Sequence, residues 1–151
     1  MVLAPLVFAY ALVTERYPAL ADLETVSGRP LRSVLWQPGR RSTYPTEVVV
    51  SLEGGRTFAL PRDVDVGGVV QAAAAAGHPL VARVGRAPLG AGSASAAYAW
   101  QVEDADGHVL VPYDAVVSYD RHLSWGWLLV FTPLSLGLGW VLVGWIRERF
   151  G

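Results

Sequence analysis

Cysteine is absent from the 151-residue chain, which excludes disulfide scaffolds, thiolate zinc sites and cysteine nucleophiles. Lysine is absent too, so all 12 basic side chains are arginine. Charged residues are scarce, 17% of the chain against about 25% in ordinary domains. The formal net charge is −1, so no global basic field exists to attract nucleic acid. Apolar residues, by contrast, make up 52%, too many for a disordered chain. The length suits one domain rather than two. The lysine-free, Ala/Gly/Val/Arg-rich composition points to a GC-rich, bacterial source.

The apolar residues are unevenly placed, and this drives the first expectation. Leu123 to Ile146 is a run of 24 residues without a charge, about 36 Å as a helix against a ~30 Å hydrocarbon core. Trp125, Trp127 and Trp145 lie near its ends, as interfacial aromatic belts place them. Met1 to Val13 is also uncharged, and extension to Tyr17 reaches the lower limit of a span before Pro18 ends it. A cleaved signal peptide with Ala9-Tyr10-Ala11 as its site is the rival reading, weakened by the lack of a preceding basic residue. The expected organisation is a membrane helix over 1–18, a β-rich extramembrane domain over 21–113, a helical lead-in over 114–122, a transmembrane helix over 123–147 and a tail over 148–151. Arg147 and Arg149 outweigh Arg121, which puts the tail in the cytoplasm and the domain outside the bacterial inner membrane.

Within the domain, Thr25-Val26 and Leu31–Trp36 read as one long strand interrupted at Gly28-Arg29-Pro30. Glu47–Leu60 reads as a hairpin around Gly54-Gly55. A two-residue loop would mix polar and apolar side chains on both faces. A three-residue loop, Glu53-Gly54-Gly55, gathers Val48, Val50, Leu52, Phe58 and Leu60 on one face, so that register is expected. A helix follows, with Asp63 as its cap, Val66, Val69, Val70 and Ala73 on its apolar face, and Gly77 at its end. Strands are expected at 80–84, 98–103 and 108–111, then a helix from Asp114. The order strand, strand, strand, helix, strand, strand resembles that of an OB-fold barrel. The expected fold class is therefore a membrane α+β protein. Its domain would be a small OB-like barrel or open β-sandwich with one helix, between two transmembrane helices.

Catalytic chemistry finds little support. His78, His108 and His122 show no metal-ligand spacing. Asp104-Ala105-Asp106-Gly107 starts like a calcium loop, but position twelve is Ala115, not a bidentate glutamate. A plain Asp-Gly turn is expected there. Gly90-Ala91-Gly92 lacks the rest of a dinucleotide fingerprint, and Ser93 and Ser95 lack a nucleophile elbow. No cofactor or enzymatic activity is expected. The binding candidates are Arg40, Arg41 and Tyr44 in a Gly/Pro loop, with Trp36 beside it. Two arginines can hold an anionic group by bidentate hydrogen bonds. The expected function is membrane-anchored scaffolding, with the lipid bilayer and another envelope protein as partners. The alternative is a module for an anionic glycan or lipid head group.

Overall fold

The computed structural model describes residues 17–38, 45–88 and 96–123, and positions 125, 126, 129, 133, 137, 140 and 145. The chain divides into two units, Tyr17–Asp120 and Met1–Arg16 with Arg121–Gly151. Of the second unit, every described residue is helical, and Trp125, Leu129, Trp140 and Trp145 are exposed.

The first unit is a mostly-sheet α+β domain. Its strands are β1 (Glu24–Gly28), β2 (Pro30–Trp36), β3 (Glu47–Leu52), β4 (Thr57–Pro61), β5 (Leu80–Gly85), β6 (Ala97–Asp104) and β7 (Val109–Val111). They form one sheet of order β1-β5-β6-β4-β3-β2, with β7 on β6. All ladders are antiparallel except β4–β6. Two helices complete the description: α1 (Val69–Ala75) and a closing helix whose unbroken described run covers residues 113–123.

The β3–β4 hairpin adopts the register that its side chains demand. Val50 pairs with Phe58 and Ser51 with Thr57, so Val48, Val50, Leu52, Phe58 and Leu60 enter the core together, all buried. Gly54 and Gly55 both take positive φ, a conformation that favours glycine. Across the sheet Val26, Leu80, Ala82, Val84 and Val102 continue this core, and α1 adds Val70 and Ala74. Full burial of each such side chain contributes about 1.5–3 kcal/mol.

Helix α1 starts later than the periodicity suggests. Gly67 and Gly68 have φ of 74° and 69°, left-handed values that no helix interior accepts. The N-cap is Gly68, and Asp65, not Asp63, supplies the side chain that closes the first turn. Its carboxylate accepts from the Val70 N–H at 2.9 Å and the Gln71 N–H at 3.4 Å. Val66 therefore lies outside the helix and is exposed. At the other end Gly77 has φ of 70°, and the N–H groups of Gly77 and His78 bond to the carbonyls of Ala74 and Ala73. This is a Schellman termination.

Three expectations are corrected. The sheet is not closed into an OB-like barrel and is not a sandwich. Closure needs a ladder between the first and last strands, but these are β1 and β2, consecutive halves of one run, and no ladder joins them. Among the described residues no helix is long and apolar enough to cross a membrane. Helix α1 has 7 residues, about 10 Å, and the closing helix carries Asp114 and Asp120. Residues 1–16 and most of 124–146, where the two transmembrane helices were expected, lie outside the described residues. The inner-membrane localisation and extracytoplasmic placement rested on those spans and fall with them.

Candidate functional site

Of the expected binding residues, the structure places Trp36, the last residue of β2, paired with Glu47 and 38% exposed. Arg40, Arg41 and Tyr44 lie outside the described residues, as do Gly90, Gly92, Ser93 and Ser95. What the fold does present is the strand that carries Trp36. Among the described residues β2 ends the sheet and pairs only with β3. Leu31, Val34, Leu35 and Trp36 are all exposed along it, Leu31 by 68% and Leu35 by 40%.

The register shows which backbone groups of β2 remain open. The Leu52 N–H bonds to the Arg56 carbonyl, towards β4, and the Glu53 N–H to the Arg29 carbonyl, towards β2. Successive residues of a strand point their backbone groups to opposite sides. Glu47, Val49 and Ser51 therefore face β2, where their partners are Trp36, Val34 and Arg32. The N–H and C=O groups of Ser33 and Leu35 point away from the sheet. Pro30 precedes the register shift between Pro30 and Arg32, as suits a residue without an N–H at a sheet edge. Ser33 and Leu35 share the face of Val50 and Val48, their partners on β3, while Leu31 sits in the register shift between Pro30 and Arg32, and α1 packs beside β2. Val66 and Val69 are also exposed, by 79% and 39%. The outcome is an unpaired backbone row flanked by aliphatic side chains.

Apart from Asp65 at the start of α1, the buried polar groups gather on the opposite face of the sheet. Glu47, Tyr98 and Asp120 are each no more than 1% exposed. Burial first, then the negative charges of Asp120 and Glu47, raise the Tyr98 pKa far above its ordinary value. Neither carboxylate is isolated. Tyr119 donates to Asp63, and burial together with that carboxylate raises its pKa as well. Trp100 packs edge-on against Tyr98 and Tyr17, with centroids 5.2 and 5.9 Å apart, and is tilted against Tyr113 at 6.0 Å. The Tyr113 hydroxyl donates to the Pro18 carbonyl at 2.8 Å. Among the described residues the Tyr98 hydroxyl and Trp100 Nε1 have no hydrogen-bond partner. The closing helix reaches these groups through the charge of Asp120 on Tyr98 and the ring of Tyr113 on Trp100. They join the closing helix to the sheet.

The Asp-Gly turn places Asp104, Asp106 and His108 with one ligand atom each within 4.8 Å of one another. Asp104 is already engaged. Its carboxylate accepts from the backbone N–H groups of Asp106 and His108, both at 2.9 Å, and lies 3.0 Å from His108 Nδ1. The His108 backbone bond, the largest influence, lowers the Asp104 pKa. This is a hydrogen-bonded turn, closed by Gly107 at φ of 83°.

Sequence reasoning missed the exposure of Leu31, Leu35, Val66 and Val69. Leu31 and Leu35 read as part of one long interrupted strand, and Val66 as part of a helix's apolar face. Only the order of strands reveals that β2 has one neighbour. Comparison with known protein families, curated proteins and solved structures yields no match to this chain.

Proposed function

We propose that the domain is a non-catalytic protein-interaction module that takes up a partner strand along the open edge of β2. The observation that carries this reading is a seven-residue edge strand with four exposed apolar side chains. Long apolar edges template pairing with another chain, and natural sheets usually blunt them with charge, bulges or cover. Here the backbone groups of Ser33 and Leu35 supply affinity. The exposed side chains of Val34, Leu35 and Trp36 supply selectivity for apolar side chains. The carboxylates the fold brings near one another, Glu47 and Asp120, are shut away from solvent, which favours recognition over catalysis. An alternating Val-Thr heptapeptide is the probe. Added to the full chain, it should slow hydrogen exchange at the Ser33 and Leu35 amides. The Val34 and Trp36 amides, already bonded to β3, should not change. Equal exchange at Ser33 and Leu35 with and without peptide refutes the reading.

A further inference from the structure

We infer that residues 17–23, ahead of β1, and the closing helix form one latch seated on Trp100, which opens and closes as a single unit while the rest of the sheet stays folded. The inference does not depend on the β2 edge.

Four observations carry it. First, Trp100 is aimed by a bulge. Arg83 pairs with Gln101 and Val84 with Ala99, so Trp100 is the extra residue of β6, and a bulge re-aims a side chain. Second, the ring so placed is shared by both elements. Tyr17, ahead of β1, packs edge-on against it, and Tyr113, the first residue of the closing helix, is tilted against it, with centroids 5.9 and 6.0 Å away. Tyr113 also donates its hydroxyl to the carbonyl of Pro18, 95 residues earlier, at 2.8 Å. Third, the segment ahead of β1 shares that seat. It joins no ladder of the sheet, and Leu23 is its one fully buried side chain. A Cβ at Gly85 would lie 2.7 Å from Leu23 Cδ2 and 3.3 Å from Trp100 Nε1, so both side chains rest against backbone of β5 that glycine leaves bare. Fourth, the closed state leaves hydrogen bonds unmade. The Tyr98 hydroxyl and Trp100 Nε1 are buried with no partner among the described residues. Water satisfies such donors once they are exposed, which lowers the cost of opening. The domain is entered at Tyr17 and left at Asp120. Both connections therefore pass through the latch, and a partner or a pull acting on one is felt at the other.

Native-state hydrogen exchange on the full chain tests the latch. The Asp22 amide, bonded to the Ala19 carbonyl, and the amides of Val117 and Tyr119 should share one opening constant, larger than that of Val50 in β3. Tyr113→Phe keeps the ring and removes the bond to Pro18. It should speed exchange about fivefold at Asp22, Val117 and Tyr119 alike, and leave Val50 unchanged. Leu23→Ala disturbs the latch from the segment ahead of β1. It should speed the Val117 and Tyr119 amides by about tenfold or more, together with Asp22. Acceleration at only one of the two elements in either variant, or at neither, overturns the inference. Equal acceleration at Val50 overturns it too, because the cooperative unit would then be the whole domain.

Discussion

β1 and β2 come from a single extended run broken at Arg29, yet they end the sheet at opposite sides and in different ways. β1 is five residues long and its exposed side chains are polar. Glu24 pairs with Arg56, and Thr25 accepts from Arg83 on the neighbouring strand. β2 is longer, carries one charge, and exposes Leu31, Val34, Leu35 and Trp36. β1 is blunted along its length by polar side chains, whereas on β2 the blunting features, Pro30, the register shift and Arg32, are confined to its first half. Because both edges share a core, their difference cannot be a difference in overall stability. It lies in what each strand offers to an incoming chain.

The largest perturbation should erase that difference. Phe58 is fully buried at the centre of the sheet, paired with Val50 on one side and Ala97 on the other. Phe58→Ala should cost about 3–5 kcal/mol in denaturant unfolding, and amides of β1 and β2 should lose protection together.

Alkaline pH should come next. Tyr98 has a raised pKa in the folded state, from burial first, so its stabilising contribution is intact below about pH 10, the unfolded value. That contribution is lost as pH rises through the folded value, because the unfolded chain ionises first. Stability should fall by about 1.4 kcal/mol per pH unit for each tyrosine so withheld. Tyr98→Phe should reduce the slope in a pH series of urea melts. It also removes a buried hydroxyl that has no partner among the described residues, so at pH 7 it should be neutral or stabilising by about 1 kcal/mol.

Smaller changes should separate the two edges. Asp65→Ala removes the side chain that closes the first turn of α1 and should cost about 1 kcal/mol. Its effect on hydrogen exchange should be concentrated in α1 and neighbouring β2, with β1 little changed. Glu24→Gln breaks an exposed ion pair on β1 and should cost less than about 0.5 kcal/mol, with no effect on association through β2.

Local rules carried a good part of the fold. The hairpin register followed from requiring one apolar face across Val48–Leu60, because a one-residue slip would turn every side chain over. Gly77 was readable as a helix end, since few residues but glycine accept its backbone angles. The helix start was not readable, because Asp63 and Asp65 are both good caps. The choice is made by Gly67 and Gly68 taking left-handed conformations that a 3.6-residue period does not reveal. Burial of Glu47 and Asp120 was also hidden. Each is an ordinary acidic residue in sequence, and only the closing helix lying on the sheet brings them near Tyr98. The candidate site was least legible of all. Whether Leu31 and Leu35 face a neighbour or solvent depends on sheet order, a long-range property. The expected site residues Arg40, Arg41 and Tyr44 lie outside the described residues.

The central claim is that β2, and not β1, is the edge that accepts another strand. Site-resolved hydrogen exchange on the full chain across a range of Val-Thr heptapeptide concentrations tests it most directly. The account predicts that the Ser33 and Leu35 amides slow as peptide concentration rises and quicken again in Leu35→Lys, while β1 amides keep one rate throughout. Concentration-independent exchange at Ser33 and Leu35, or equal slowing along β1, would contradict it.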